Sequence, residues 1–192
     1  MLDVMRCRSW HLLRGSRPFW VVCLALAGCA QEQPSPVPRP APQRMPAAPR
    51  PARPQAVTAA TYVAVAASID LFVIRASELA LQRSSSTRFR AFATQEIAAH
   101  NGLGSQLSFA GRRLNLLPSA MLRPEHQALL DRLETAPDFD ATYRQEQLEV
   151  HRQAMTLHSN YAAGGRSPTL RPVAKAAVPI IERHLRLISA LY

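Results

Sequence analysis

The chain has 192 residues, with 23 Lys and Arg against 13 Asp and Glu and a formal charge of +10. Its cysteines, Cys7, Cys23 and Cys29, all lie near the amino end, so the remainder can form no disulfide and offers no catalytic thiol. A basic balance raises nucleic acid as a partner, but no binding motif accompanies it, and the part expected to fold is left with only about +4.

Residues 1–28 read as a secretory leader. Arg6, Arg8, Arg14 and Arg17 precede an apolar run from Phe19 to Leu26, far short of the ~20 residues that span a bilayer. The run ends in Leu26-Ala27-Gly28-Cys29, which resembles the lipobox of bacterial lipoproteins. That resemblance implies cleavage before Cys29 and lipid on its sulfur. An ordinary cleaved leader is the alternative, since Ala25-Leu26-Ala27 also fits a small-residue cleavage site. Ala30 follows the cysteine where an Asp would signal inner-membrane retention, so the resemblance places the protein at the outer membrane, facing the periplasm. Residues 29–57 form a tether built from Pro, Ala, Arg and Gln. Proline fixes φ and lacks a backbone donor, so the stretch cannot pack a core and favours polyproline II. At ~3.1 Å per residue it reaches roughly 85 Å. Its arginines suit anionic headgroups or cell-wall polymer, and an envelope protein is a further candidate partner.

Residues 58–192 suffice for one domain and read as helical throughout. The first helix is expected over 59–83, capped by Thr58, with Tyr62, Val65, Ile69, Phe72, Ala76, Leu79 and Ala80 in one apolar stripe. The second is expected over 87–112, with Phe89, Ala93, Ile97, Leu103 and Leu107 inward. A short helix over 124–134 starts at Pro124, which suits a first helical turn. The third long helix is expected over 139–162, capped by Asp138 or Asp140 and stopped by Gly164-Gly165. The last is expected over 169–191, with Pro179 kinking it. The fold class is therefore all-α: a ferritin-like four-helix bundle whose long crossover between the second and third long helices contains the short helix.

Polar residues on apolar faces are the candidate site. Glu96 and His100 fall close to the second helix's stripe, His151 shares a face with Tyr143, Gln147 and Ala154, and His184 follows the line of Val173 and Ala177. Three helices thus each point a histidine inward. Imidazoles with a carboxylate hold Zn, Fe or Cu. A ferritin-like di-metal centre needs more carboxylates than this pattern supplies: Glu149 and Glu182 precede their histidines by only two residues, and Glu78 opposes its stripe. The competing reading is a set of core histidines satisfied by Glu96, Gln147, Tyr143 or backbone carbonyls, with no cofactor. A single ion requires the imidazoles to lie within about 8 Å of one another. His126 and His158 read as surface residues. No nucleophile elbow or phosphate loop is present.

Phe92-Ala93 with His100, then Phe139-Asp140, Tyr143, Gln147 and His151, then Leu170, Ala174, Pro179, Ile181 and His184-Leu185 carry a family resemblance. With residues 62–80 they look like the bacterial family called domain of unknown function 4142. The resemblance spans about residues 60–192. It implies a ferritin-like bundle in an exported protein with no established activity. The chain departs from that pattern at Val73, Arg75 and Ala99, where members often carry acidic residues. The combined expectation is an outer-membrane lipoprotein with a structural, stress-related or interaction role and no enzymatic activity. The alternative is a metal-binding or oxidative-stress protein using Glu96, His100, His151 and His184.

Overall fold

The computed structural model describes residues 57–191, so the leader, Cys29 and nearly all of the tether lie outside the described residues. Five helices are present among the described residues and no strand: α1 (Ala59–Arg83), α2 (Thr87–Arg112), α3 (Pro124–Thr135), α4 (Phe139–Gly164) and α5 (Leu170–Ser189). Each boundary has a local cause. The Thr58 hydroxyl accepts from the Thr61 amide at 3.1 Å and opens α1. Asp138, not Asp140, caps α4, accepting from the Ala141 amide at 3.1 Å. Gly164 belongs to α4 and Gly165 ends it, its amide donating to the Tyr161 carbonyl. α5 continues through Pro179, which sits on its exposed face, where the missing amide bond meets water.

Buried contacts fix the topology. Tyr62, near the start of α1, stacks on Tyr161 at the end of α4, with ring centroids 4.0 Å apart. Ser77, late in α1, bonds Tyr143 at the start of α4 at 2.9 Å. The Arg144 guanidinium on α4 donates to the carbonyls of Ile188 and Ser189, which end α5. α1 is therefore antiparallel to α2 and α4, α5 is antiparallel to α4, and the segment after Arg112 must travel the bundle's length before α4 begins. α3 lies on that crossover, as expected for the ferritin-like arrangement. Arg83 clasps the end of α3 by donating to the carbonyls of Leu133, Glu134 and Ala136, with its guanidinium carbon 4.8 Å from the Phe139 ring centroid.

The core consists of two apolar clusters, one around Phe72, Phe92, Leu133 and Ile181, the other around Tyr62, Leu107, Tyr161 and Leu170. By length and composition α1 could cross a bilayer. Its inner face, with Tyr62, Ile69, Phe72 and Val73, is buried against the other helices instead.

Two histidines read as surface residues are in fact buried. His126 accepts from the Ser68 hydroxyl at 2.7 Å and lies 3.4 Å from the Gln153 carbonyl oxygen. His158 meets the Tyr62 hydroxyl at 3.0 Å. Helical periodicity marks polar residues as outward; here partners on α1 and α4 satisfy the rings and let them stay inside.

Candidate metal centre

Glu96 and His100 stand one turn apart on α2, His151 lies near the middle of α4, and His184 lies in the second half of α5. All four are fully buried. The three imidazole centroids form a nearly equilateral triangle, with sides of 5.4, 5.6 and 5.5 Å. Glu96 faces all three rings. Its Oε2 is 3.0 Å from His151 Nε2 and 3.4 Å from His100 Nε2, and its Oε1 is 2.8 Å from His184 Nδ1. One ligand atom from each residue falls within 4.8 Å of the other three.

Short as they are, these approaches lack hydrogen-bond alignment. Both Glu96 oxygens and the three facing nitrogens are buried without a hydrogen-bond partner. Interiors rarely tolerate one such atom, because each costs about 1–3 kcal/mol. Five in a single pocket, all converging, could hold a metal ion. Zn–N and Zn–O bonds of about 2.0–2.2 Å require each atom to close in by less than about 1 Å.

The far sides of two rings are held. His100 Nδ1 donates to Asp70 Oδ1 on α1 at 2.8 Å, and His151 Nδ1 donates to the Gln147 carbonyl at 2.8 Å. These bonds fix the tautomer and leave Nε2 for an ion, the usual support of a metal-bound imidazole. His184 presents Nδ1 instead, and its Nε2 lies 3.4 Å from an Arg183 guanidinium nitrogen. Phe92 covers His184 edge-on at 6.5 Å.

Electrostatics follow from burial and pairing. Burial lowers the affinity of His100 for its proton, but Asp70 and Glu96 reverse this and push it up to about 9. Burial raises the Glu96 carboxyl, and the three imidazoles that face it more than cancel that, holding it well below the carboxylate range. Burial dominates at Asp70, which is raised, and at His151, which is lowered. A cation entering this pocket therefore meets a preformed carboxylate and displaces the Nε2 proton that His100 carries at neutral pH.

The structure thus brings together Glu96, His100, His151 and His184. Tyr143 and Gln147 lie beside the cluster without joining it: the Tyr143 hydroxyl bonds Ser77, and Gln147 contributes its backbone carbonyl while its side-chain amide is buried and unpaired. Asp70 was missed in the sequence. It is the only charged residue between Ala59 and Ile74, on the line of Ala66, Val73 and Ser77, and that isolation was the available signal.

Fold and site together define an all-helical bundle protein with a buried three-histidine, one-carboxylate cluster. The chain belongs to the family described as domain of unknown function DUF4142, whose model matches residues 43–191. The match begins within the proline-rich stretch. No curated protein matches significantly. Among solved structures the chain is similar to CopM in the Cu(II)-bound form, with 16% identity and a TM-score of 0.59, covering 69% of this chain and 94% of that one. That likeness concerns the fold.

Proposed function

We propose that this chain binds one first-row divalent ion at Glu96, His100, His151 and His184, as a binding protein of the cell envelope and not as an enzyme. The observation that carries the reading is the convergence of five buried, hydrogen-bond-free N and O atoms with the far sides of His100 and His151 anchored. Three imidazoles and one carboxylate complete a four-coordinate shell. A filled shell leaves no open position for a reacting group, which suits storage, delivery or stabilisation better than catalysis. One carboxylate among four ligands does not suit a di-iron centre. Nitrogen-rich sites follow the Irving–Williams order, so Cu(II) is held more tightly than Zn(II) or Fe(II). The copper-bound state of the structural neighbour agrees with that choice.

The envelope part of the reading rests on the lipobox-like Leu26-Ala27-Gly28-Cys29 and the proline-rich stretch after it. Lipid on Cys29 holds the domain at the outer membrane, and the tether lets it sample the periplasm or the wall. Cys29→Ser should shift the protein from the membrane fraction to the soluble one. Retention in the membrane would overturn the anchor.

Metal content tests the site. The full chain, stripped with chelator and given Cu(II), should take up one equivalent and melt at higher temperature. Binding a thousand-fold above Kd adds about 4 kcal/mol to stability. Glu96→Ala and His151→Ala should each abolish the shift. An unchanged melt and less than a tenth of an equivalent bound would sink the reading. With equimolar Zn(II) and Cu(II), copper should occupy the site; zinc occupancy would correct the choice of ion and leave the site intact.

A further inference from the structure

The ligand atoms are fully enclosed, yet an ion must reach them. A cleft of about 450 Å³ opens between α1, α2 and the start of the crossover, with Gly104, Ser108, Pro118 and Ala120 among its walls, and Asp70 and His100 also line it. The Asp70 side chain keeps 7% of its surface exposed, whereas the side chains of Glu96, His100, His151 and His184 keep none. Asp70 therefore separates solvent from the cluster by a single imidazole. Its Oδ1 is engaged by His100 Nδ1 at 2.8 Å. Its Oδ2 faces Gly104, where a Cβ would stand 3.8 Å away. Any longer side chain at 104 would cover that oxygen. Arg112 shares the lining, but its guanidinium carbon lies over the Phe109 ring, 5.9 Å from the centroid. The larger cavity of about 800 Å³ beside Phe109 and Pro172 touches none of the ligand residues.

We propose that this cleft is the route by which the ion enters and leaves, with Asp70 its transient ligand at the floor and His100 the group that passes it to the buried set. The inference rests on the metal-binding reading above. A hard carboxylate oxygen at the floor of this cleft attracts a hydrated divalent cation, and rotation of one ring then carries the ion inward. Asp70 acts as a positioning residue for His100 once the ion is seated.

Stopped-flow mixing of the metal-free full chain with Cu(II), and of the loaded chain with excess chelator, tests the route. Gly104→Leu should slow uptake and release alike by at least tenfold while stoichiometry and Kd stay within threefold. Ala120→Trp, on an exposed part of the crossover, should do the same and carries little folding risk. Gly102→Leu, whose Cβ meets nothing within 4 Å, should leave both rates unchanged. Unchanged rates in the two cleft variants would overturn the route, as would equal slowing by Gly102→Leu. Failure of the parent chain to take up Cu(II) would instead strike the metal-binding reading itself.

Discussion

Asp70 shows how much one carboxylate can decide from outside a coordination shell. It sets the tautomer of His100, accepting at Oδ1 so that Nε2 points at Glu96. Removing such a partner costs 10–100-fold in metal affinity in characterised sites. Asp70→Asn should therefore weaken Cu(II) binding by about that factor while keeping one equivalent bound at saturation, measured by competition with a chelator of known affinity. Loss of stoichiometry would mean that Asp70 is itself a ligand. At this scale the sequence is partly legible. Glu96, His100, His151 and His184 stand out because polar side chains interrupt apolar stripes. Asp70 does not, because the stripe through Tyr62, Ile69 and Phe72 passes beside it. His126 and His158 mislead for a related reason: what keeps them inside is a hydroxyl on another helix, and no local pattern reports a partner 58 or 96 residues away.

At the scale of elements, the crossover is held by a small polar latch. Ser68 on α1 accepts from the Arg123 amide at 2.8 Å, ahead of α3, and donates to His126 Nδ1 at 2.7 Å. His126 in turn reaches Gln153 on α4. Ser68→Ala would leave a buried imidazole nitrogen and a backbone amide unsatisfied. The expected loss is about 1–3 kcal/mol in denaturant unfolding. Amides of α3 should exchange faster than those of α1 or α4, because α3 contributes few buried side chains beyond His126, Leu129, Leu130 and Leu133. Uniform loss of protection would show that the latch supports the whole bundle. The helices themselves are the most legible level. α1 and α2 begin and end where Thr58, the serine run 84–86 and the sequence after Arg112 dictate. The axial register that brings residues 100, 151 and 184 into one layer is not written in any single helix. It emerges from interhelical pairs such as Tyr62 with Tyr161 and Ser77 with Tyr143.

At the scale of the molecule, burial of ionisable groups ties stability to pH in opposing directions. His158 is driven down to about 4 by burial and then by the charge of His100. Its unfolded value is near 6.5, so the stability tied to its neutral ring is complete above pH 6.5 and is lost as pH falls towards 4. Glu146 behaves oppositely. Burial pushes its carboxyl up to about 7, only partly offset by Arg132 with its Nε 3.4 Å away, while Glu149 adds repulsion. The native state holds this proton more tightly than the unfolded chain, whose carboxyl titrates near 4.5. Stability therefore declines as pH rises from about 4.5 to 7, and the full penalty applies above that range. Glu146→Gln isolates the effect. The variant should match the parent near pH 4, gain steadily between pH 4.5 and 7, and exceed it by about 1–3 kcal/mol at pH 8, judged by denaturant unfolding in the presence of chelator. A gain independent of pH would assign the difference to packing of the amide, and a loss at pH 8 would mean that the Arg132 pair outweighs the burial of the charge.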